Sequence, residues 1–256
     1  MPQQCEFSEF GYGYAFTEER LHNRLVRVAP VFPTLRQENA LGYDVKIASF
    51  GFIQFKRPET LIGNRSRERS LNMRGDIYRM HLNNHQHRQL LRLTRRNKRF
   101  RGARVYYACP SFFTAHALNS CYEQRTILNS SLFIEASCIG PIPAGRHHIS
   151  YNNHTRRAGY FWLFSEPKKL EFFTLSFDEW VTKAADQPPM TAEDLGNSLK
   201  SLQRLAKGTG FMIDAEPPNH AGILSEEERA LVGMARLARS AFDAELLIIE
   251  STQPRS

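Results

Sequence analysis

Asp44, Gln54 and Lys56 are the residues whose types and spacing best suit chemistry on a phosphate ester. They lie in LRQENALGYDVKIASFGFIQFKRPE, residues 35–59. Side chains of a strand alternate between faces, so Gln54 and Lys56 share a face with Phe52, while Ile53 and Phe55 point the other way. Asp44 and Lys46 oppose Tyr43, Val45 and Ile47 in the same manner. The alternation predicts strands over 43–49 and 51–56, joined as a hairpin by a turn at Phe50-Gly51. Pairing about Phe50 sets Asp44 opposite Lys56 and Lys46 opposite Gln54, all four on one face. A hard divalent cation takes oxygen ligands such as Asp44 and a second carboxylate. It polarises a phosphate and lowers the pKa of an attacking water. A lysine beside it orients that water or offsets developing negative charge. The competing reading is a solvated sheet face with an Asp44–Lys56 cross-strand ion pair worth ~0.2–1 kcal/mol.

Basic charge is concentrated just downstream. The chain holds 34 Lys and Arg against 26 Asp and Glu, a net of +8 over 256 residues. Residues 64–104 alone carry thirteen Arg or Lys against Glu68 and Asp76, a net of +11. The candidates for backbone contact are Arg88, Arg92, Arg95, Arg96, Lys98, Arg99 and Arg101. Arginine forks suit phosphates, and a basic stretch of this density points to a polyanion such as DNA, with RNA not separated from it. Cations at a helix C-terminus favour the macrodipole, which accounts for two or three charges but not for so many. An acidic protein partner or an anionic membrane surface is the other use of such a face.

Other constellations exclude more than they suggest. His81 and His85 in HLNNHQH would share a helical face, a zinc-compatible spacing, but no HExxH glutamate or third ligand accompanies them. If the fold is that of a nuclease, with this helix following the strand of Gln54 and Lys56, Gln86 or His87 is expected within reach of phosphate. The stretch from Gly140 to Gly145 followed by RHHIS reads as a turn rather than an anion loop, because GxxxxGK[ST] is absent. No GxSxG elbow is present. Cys5, Cys109, Cys121 and Cys138 form no CxxC pair, which argues against a thiolate zinc site and for reduced thiols. No apolar run approaches the ~18 residues that span a bilayer, and MPQQCEFSEF has no signal-peptide pattern, so a cytoplasmic protein is expected.

The elements that must position these residues follow from periodicity and caps. Thr17 reads as the N-cap of a first helix running to Pro30. A helix is predicted over 78–97, a buried strand over 103–109, a helix over 113–124, and short strands at 131–138, 147–151 and 160–165. DQPPM at 186–190 is a linker, and two helices follow it, with capping boxes at Thr191/Asp194 and Ser225/Glu228. The expected architecture is an α/β domain over 1–185 with a central mixed sheet flanked by helices, and a helical extension over 186–256.

GYD followed by IQFKR resembles the PD-(D/E)XK, or restriction-endonuclease-like, nuclease superfamily. The similarity is greatest to its Gln-x-Lys branch, which includes Mrr-like restriction enzymes and nuclease domains of bacterial antiphage systems. FGYGYAFT, the E-x-x-x-G-x-D run ending at Asp44, FIQFKRP and VYYACPSF also look like a group of uncharacterised bacterial proteins. The resemblance covers roughly residues 10–140. It implies a restriction-endonuclease-like sheet and a Mg²⁺- or Mn²⁺-dependent endonuclease of defence against foreign DNA. It places the metal-binding acid at Asp44, the second motif position at Gln54 and the lysine at Lys56. A glutamate completes the metal set in many relatives, and Glu18, Glu19 and Glu38 are the candidates here. Two further classes stay open: a non-catalytic nucleic-acid-binding protein of the same fold, and an interaction subunit of a defence complex. A homodimer would suit cutting of both strands.

Overall fold

The structure, a computed structural model, describes residues 2–22, 47–61, 66–95, 104–165, 167–172, 177–207 and 226–250. In chain order the elements are β1 (Pro2–Gln3), α1 (Glu9–His22), β2 (Ile47–Phe55), β3 (Glu59–Leu61), β4 (Ile77–Leu82) and α2 (Asn84–Arg95). Then come β5 (Val105–Pro110), α3 (Ala115–Glu123), β6 (Ser131–Glu135), α4 (Ala136–Ile139), β7 (His147–Tyr151), α5 (Asn153–Arg157), β8 (Tyr160–Phe164) and β9 (Lys168–Glu171). The chain ends with α6 (Phe177–Ala185), α7 (Ala192–Lys207), α8 (Glu226–Phe242) and β10 (Glu245–Glu250). This is an α/β fold with two sheets. One is antiparallel, in the order β1-β3-β4-β7-β8-β9; the other has four strands in the order β10-β2-β5-β6. The four-stranded sheet is mixed. Phe52 N–H donates to Arg104 O and Lys56 N–H to Ala108 O, the same offset at both points, so β2 and β5 run parallel. β10–β2 and β5–β6 are antiparallel.

Two compact units are interleaved in sequence: Met1–Asn23 with Gln54–Leu91 and Val105–Leu175, and Arg24–Ile53 with Arg92–Arg104 and Ser176–Ser256. In the first, the buried face of α1 sets Tyr12 and Phe16 edge-on against Phe55, with ring centroids 5.6 Å apart in both cases. Gly13 permits this approach, since a Cβ there would lie 2.9 Å from the Phe55 ring. Tyr12 is fully buried and its hydroxyl donates to Ser131 Oγ at 2.8 Å, so the polar end of the ring is satisfied. Every residue of β5 is buried, as a strand covered on both faces requires.

In the second unit, α7 and α8 pack together, with Leu199 against Gly233. The Thr191/Asp194 capping box forms: Asp194 N–H donates to Thr191 Oγ1 at 3.1 Å, and Thr191 N–H donates back to Asp194 Oδ2 at 3.0 Å. Ser225 lies outside the described residues. No helix among the described residues is long and apolar enough to cross a membrane, and none of the four cysteines is in a disulfide.

Four expectations are corrected. The hairpin turn at Phe50-Gly51 does not exist. β2 runs unbroken from Ile47 to Phe55, with Phe50 and Gly51 paired to Ile248 and Leu247 of β10. Gly51 serves close packing rather than a turn, because a Cβ there would sit 2.6 Å from the Trp180 ring. Gly51→Ala is accordingly expected to cost about 1–3 kcal/mol through overpacking, read as a lower urea midpoint. Secondly, α1 starts at Glu9, not after Thr17: Ser8 Oγ accepts the Gly11 N–H at 2.9 Å. Thirdly, the 78–97 segment is strand β4 followed by helix α2. Asn83 divides them, its Oδ1 accepting the Gln86 N–H at 3.0 Å. Fourthly, the C-terminal region is not all helix. Asp243, at φ 49°, ends α8, and the apolar run LLII then continues as β10.

Candidate functional site

Strand parity survives the loss of the hairpin. Phe55 faces α1, so Gln54 and Lys56 point to the opposite side of β2, towards α2. That side is not a solvated face, since Phe52 and Gln54 are fully buried. Lys56 emerges where β2 ends. Its N–H is held by Ala108 O at 2.9 Å, and its ammonium donates to Gln86 Oε1 at 3.0 Å.

Gln86 is itself fixed by the start of α2. Asn83 caps its backbone N–H, and Asn84 Nδ2 donates to Pro143 O at 2.7 Å. One residue further on, His87 is completely buried. Its Nε2 lies 2.8 Å from Gly140 O, which can only accept, so Nε2 carries the proton. Nδ1 then accepts from the Tyr107 hydroxyl at 2.9 Å. Burial pushes the His87 pKa down and the Tyr107 pKa up, so the ring stays neutral and the phenol stays a donor. His87 therefore locks α2 to β5 and to the 140s loop, and with them the residue that holds Lys56.

Lys56 opens into a cleft of about 690 Å³. The wall is made by Glu9 at the start of α1, Lys56 and Arg57 after β2, and His81 and Leu82 at the end of β4. Asn83, Asn84, His85 and Arg88 from the start of α2, and Gly145, Arg146 and His147 before and within β7, complete it. Among the described residues, four permanent cations thus face one carboxylate, Glu9, whose Oε1 accepts the Arg57 N–H at 3.4 Å. The free backbone N–H groups of a helix start add positive potential. The charge of such a wall is complementary to an anion with several oxygens, a phosphate diester among them.

The residues expected at a metal site separate. Glu18 accepts from Arg125 Nη1 with both oxygens, at 3.1 and 3.0 Å. Glu19 is buried and its Oε2 accepts the Ile127 N–H at 2.7 Å, a structural role. Neither lines the cleft. Glu38 and Asp44 lie outside the described residues. His81 is on a strand and His85 on a helix, so the shared helical face is absent. No three His, Cys, Asp or Glu side chains come together as a metal site among the described residues. Glu9 and Gln54 alone do not fit a divalent cation, which needs the further carboxylate that Asp44 would provide.

Of the basic residues, Arg88 lines the cleft and Arg92 is exposed one turn further along α2. Only the backbone of Arg95 is described, and Arg96, Lys98, Arg99 and Arg101 lie outside the described residues. Glu9, Arg57 and Arg146 were not singled out by the sequence reading. The signal for Arg146 was the RHHIS run after Gly145, which is a turn leading into β7 and also part of the cationic wall. The chain matches no protein-family model, no curated protein and no solved structure.

Proposed function

We propose that the protein is a metal-dependent endonuclease that hydrolyses DNA phosphodiester bonds in the Lys56 cleft, with a restriction-endonuclease-like core. The observation that carries this reading is the placement of Lys56. It stands at the carboxyl end of β2, next to parallel strand β5, on the same face as Gln54, and opens into a wall of four cations. Lys56 orients the attacking water or offsets charge on the phosphoryl oxygens. Arg57, Arg88 and Arg146 hold the phosphate backbone. Asp44 supplies the carboxylate for Mg²⁺ or Mn²⁺ that the described residues lack, and the setting suggested by the motif resemblance is defence against foreign DNA.

The test is plasmid cleavage by the purified protein in Mg²⁺ or Mn²⁺ against EDTA, wild type beside Asp44→Ala. Metal-dependent nicking or linearisation, lost in the variant, is the expected outcome. Cleavage that persists in EDTA would sink the metal-dependent reading. A second reading is favoured by the engagement of Glu18 and Glu19 elsewhere: a binding protein of the same fold without a complete metal site. Equal DNA binding by both proteins with no cutting would select it.

Both readings place phosphate in the cleft, and that is tested separately. Each phosphate contact contributes about 0.9 to the slope of log K against log salt. Arg88→Ala combined with Arg146→Ala is expected to lower that slope by roughly 2, measured by fluorescence anisotropy over a salt series. An unchanged slope would move the nucleic acid elsewhere.

A further inference from the structure

Three histidines line the Lys56 cleft, and they differ in what holds them. His147 is buried, and its Nε2–H donates to Pro143 O at 3.1 Å. His85 has a long 3.5 Å contact with Gln89 Nε2 and no carboxylate partner among the described residues. His81 is different: Glu59 Oε2 lies 2.6 Å from its Nε2. The sheet register explains the pairing. Glu59 of β3 stands opposite Arg79 of β4, so it is the diagonal neighbour of His81 on the same face. On its other side, the His81 ring is 5.7 Å from the ring of His148, its direct partner on β7.

A carboxylate accepts, so Nε2 of His81 carries a proton and the ring orientation is set from one side. Nδ1 has no hydrogen-bond partner among the described residues, and 60% of the side chain is exposed. A carboxylate that fixes one imidazole nitrogen while the other meets solvent in a cationic cleft is the arrangement of a positioned acid or base.

We propose that His81, oriented by Glu59, is a catalytic residue of the cleft that protonates the leaving oxygen. This rests on the reading of the cleft as a phosphodiesterase. The water oxygen bonds to phosphorus and the water's proton leaves to solvent. The bond from phosphorus to the leaving sugar oxygen breaks, and its electron pair takes the proton from Nδ1 of the imidazolium. The products are a phosphomonoester, an alcohol and a neutral imidazole still bonded to Glu59, which regains its proton from solvent. Lys56 is left to the attacking side, and the two groups divide the two ends of the displacement.

The test uses leaving groups. An oligonucleotide with one cleavable diester is compared, in Mg²⁺, with versions carrying sulfur at the 3′- or the 5′-bridging position. A thiolate leaves without needing a proton. His81→Ala is expected to lose about 100-fold or more in single-turnover rate on the oxygen substrate. Most of that loss should vanish on the sulfur substrate whose bridging atom is the leaving group. Glu59→Gln, which keeps the shape of the partner, should give the same pattern with a smaller loss. An equal loss on oxygen and sulfur would assign His81 a structural role and overturn the inference, as would no loss at all. If wild type cuts none of the substrates, the phosphodiesterase reading falls and the inference falls with it; wild-type cutting with an unaffected His81→Ala removes the inference alone.

Discussion

On the proposed nuclease reading, Lys56→Ala is expected to abolish plasmid cleavage, a loss of at least about 100-fold, while DNA binding changes little. The asymmetry follows from the cleft. Three other permanent cations, Arg57, Arg88 and Arg146, remain to hold the backbone. Loss of one charge lowers the salt slope of binding by about 0.9 at most. What the variant loses is a single ammonium held by Gln86 at 3.0 Å at the end of a strand anchored to Ala108. Because that position is so constrained, Lys56→Arg is expected to restore little: the guanidinium is longer, planar and not a point charge. Gln86→Ala should fall between the two, since it keeps the ammonium but releases it from its acceptor. The readout is the rate of supercoil loss beside DNA affinity measured in parallel. Cutting by Lys56→Ala at a rate near wild type would remove Lys56 from the mechanism.

The alternation of Phe52, Gln54 and Lys56 was legible because a strand's two-residue period does not depend on what the strand pairs with. The hairpin was not, because Gly51 carries two meanings in a sequence. It marks a turn, or it marks a place where another side chain comes too close for a Cβ; here the Trp180 ring, far along the chain, decides for the second. Gly13 of α1 carries the second meaning too, since a Cβ there would lie 2.9 Å from the Phe55 ring. A helix start at Thr17 leaves Glu9 off the helix and puts Glu18 and Glu19 in its first turn. Both are held by partners more than 100 residues away, Arg125 and Ile127. Likewise β10 is four apolar residues between glutamates. Only its ladder with β2 distinguishes it from a last helical turn. The cationic wall is assembled from α1, the end of β2, β4, α2 and the start of β7, and of its four permanent cations only Arg88 lies in the Arg-rich stretch at 64–104.

Glu68 carries the largest expected effect on stability. Its side chain is fully buried, yet one oxygen collects three donors: Arg79 Nε at 2.6 Å, Ser150 Oγ at 3.1 Å and His148 Nε2 at 3.3 Å. The His148 ring is stacked on Phe164 at 4.9 Å, which holds it in place. Burial alone would raise the carboxyl's pKa, but the hydrogen bonds from His148 and Arg79, with the charge of Arg79, outweigh it and hold Glu68 well below the ordinary 4.5. Glu68→Gln removes the anion and leaves Arg79, only 21% exposed, beside a neutral amide. Breaking such a pair on one side costs about 3–5 kcal/mol. Urea unfolding near pH 7 should therefore show a much lower midpoint for the variant. The gap should then narrow in acid. Below pH 4.5 the unfolded chain takes up a proton at this carboxyl while the folded chain resists it, so wild type loses stability as pH falls through that range towards the depressed folded value. Glu68→Gln has no such proton to bind and lacks that component of the acid dependence. A gap that stayed constant from neutral pH down to pH 3 would mean that the carboxylate, though buried among donors, contributes nothing through its charge.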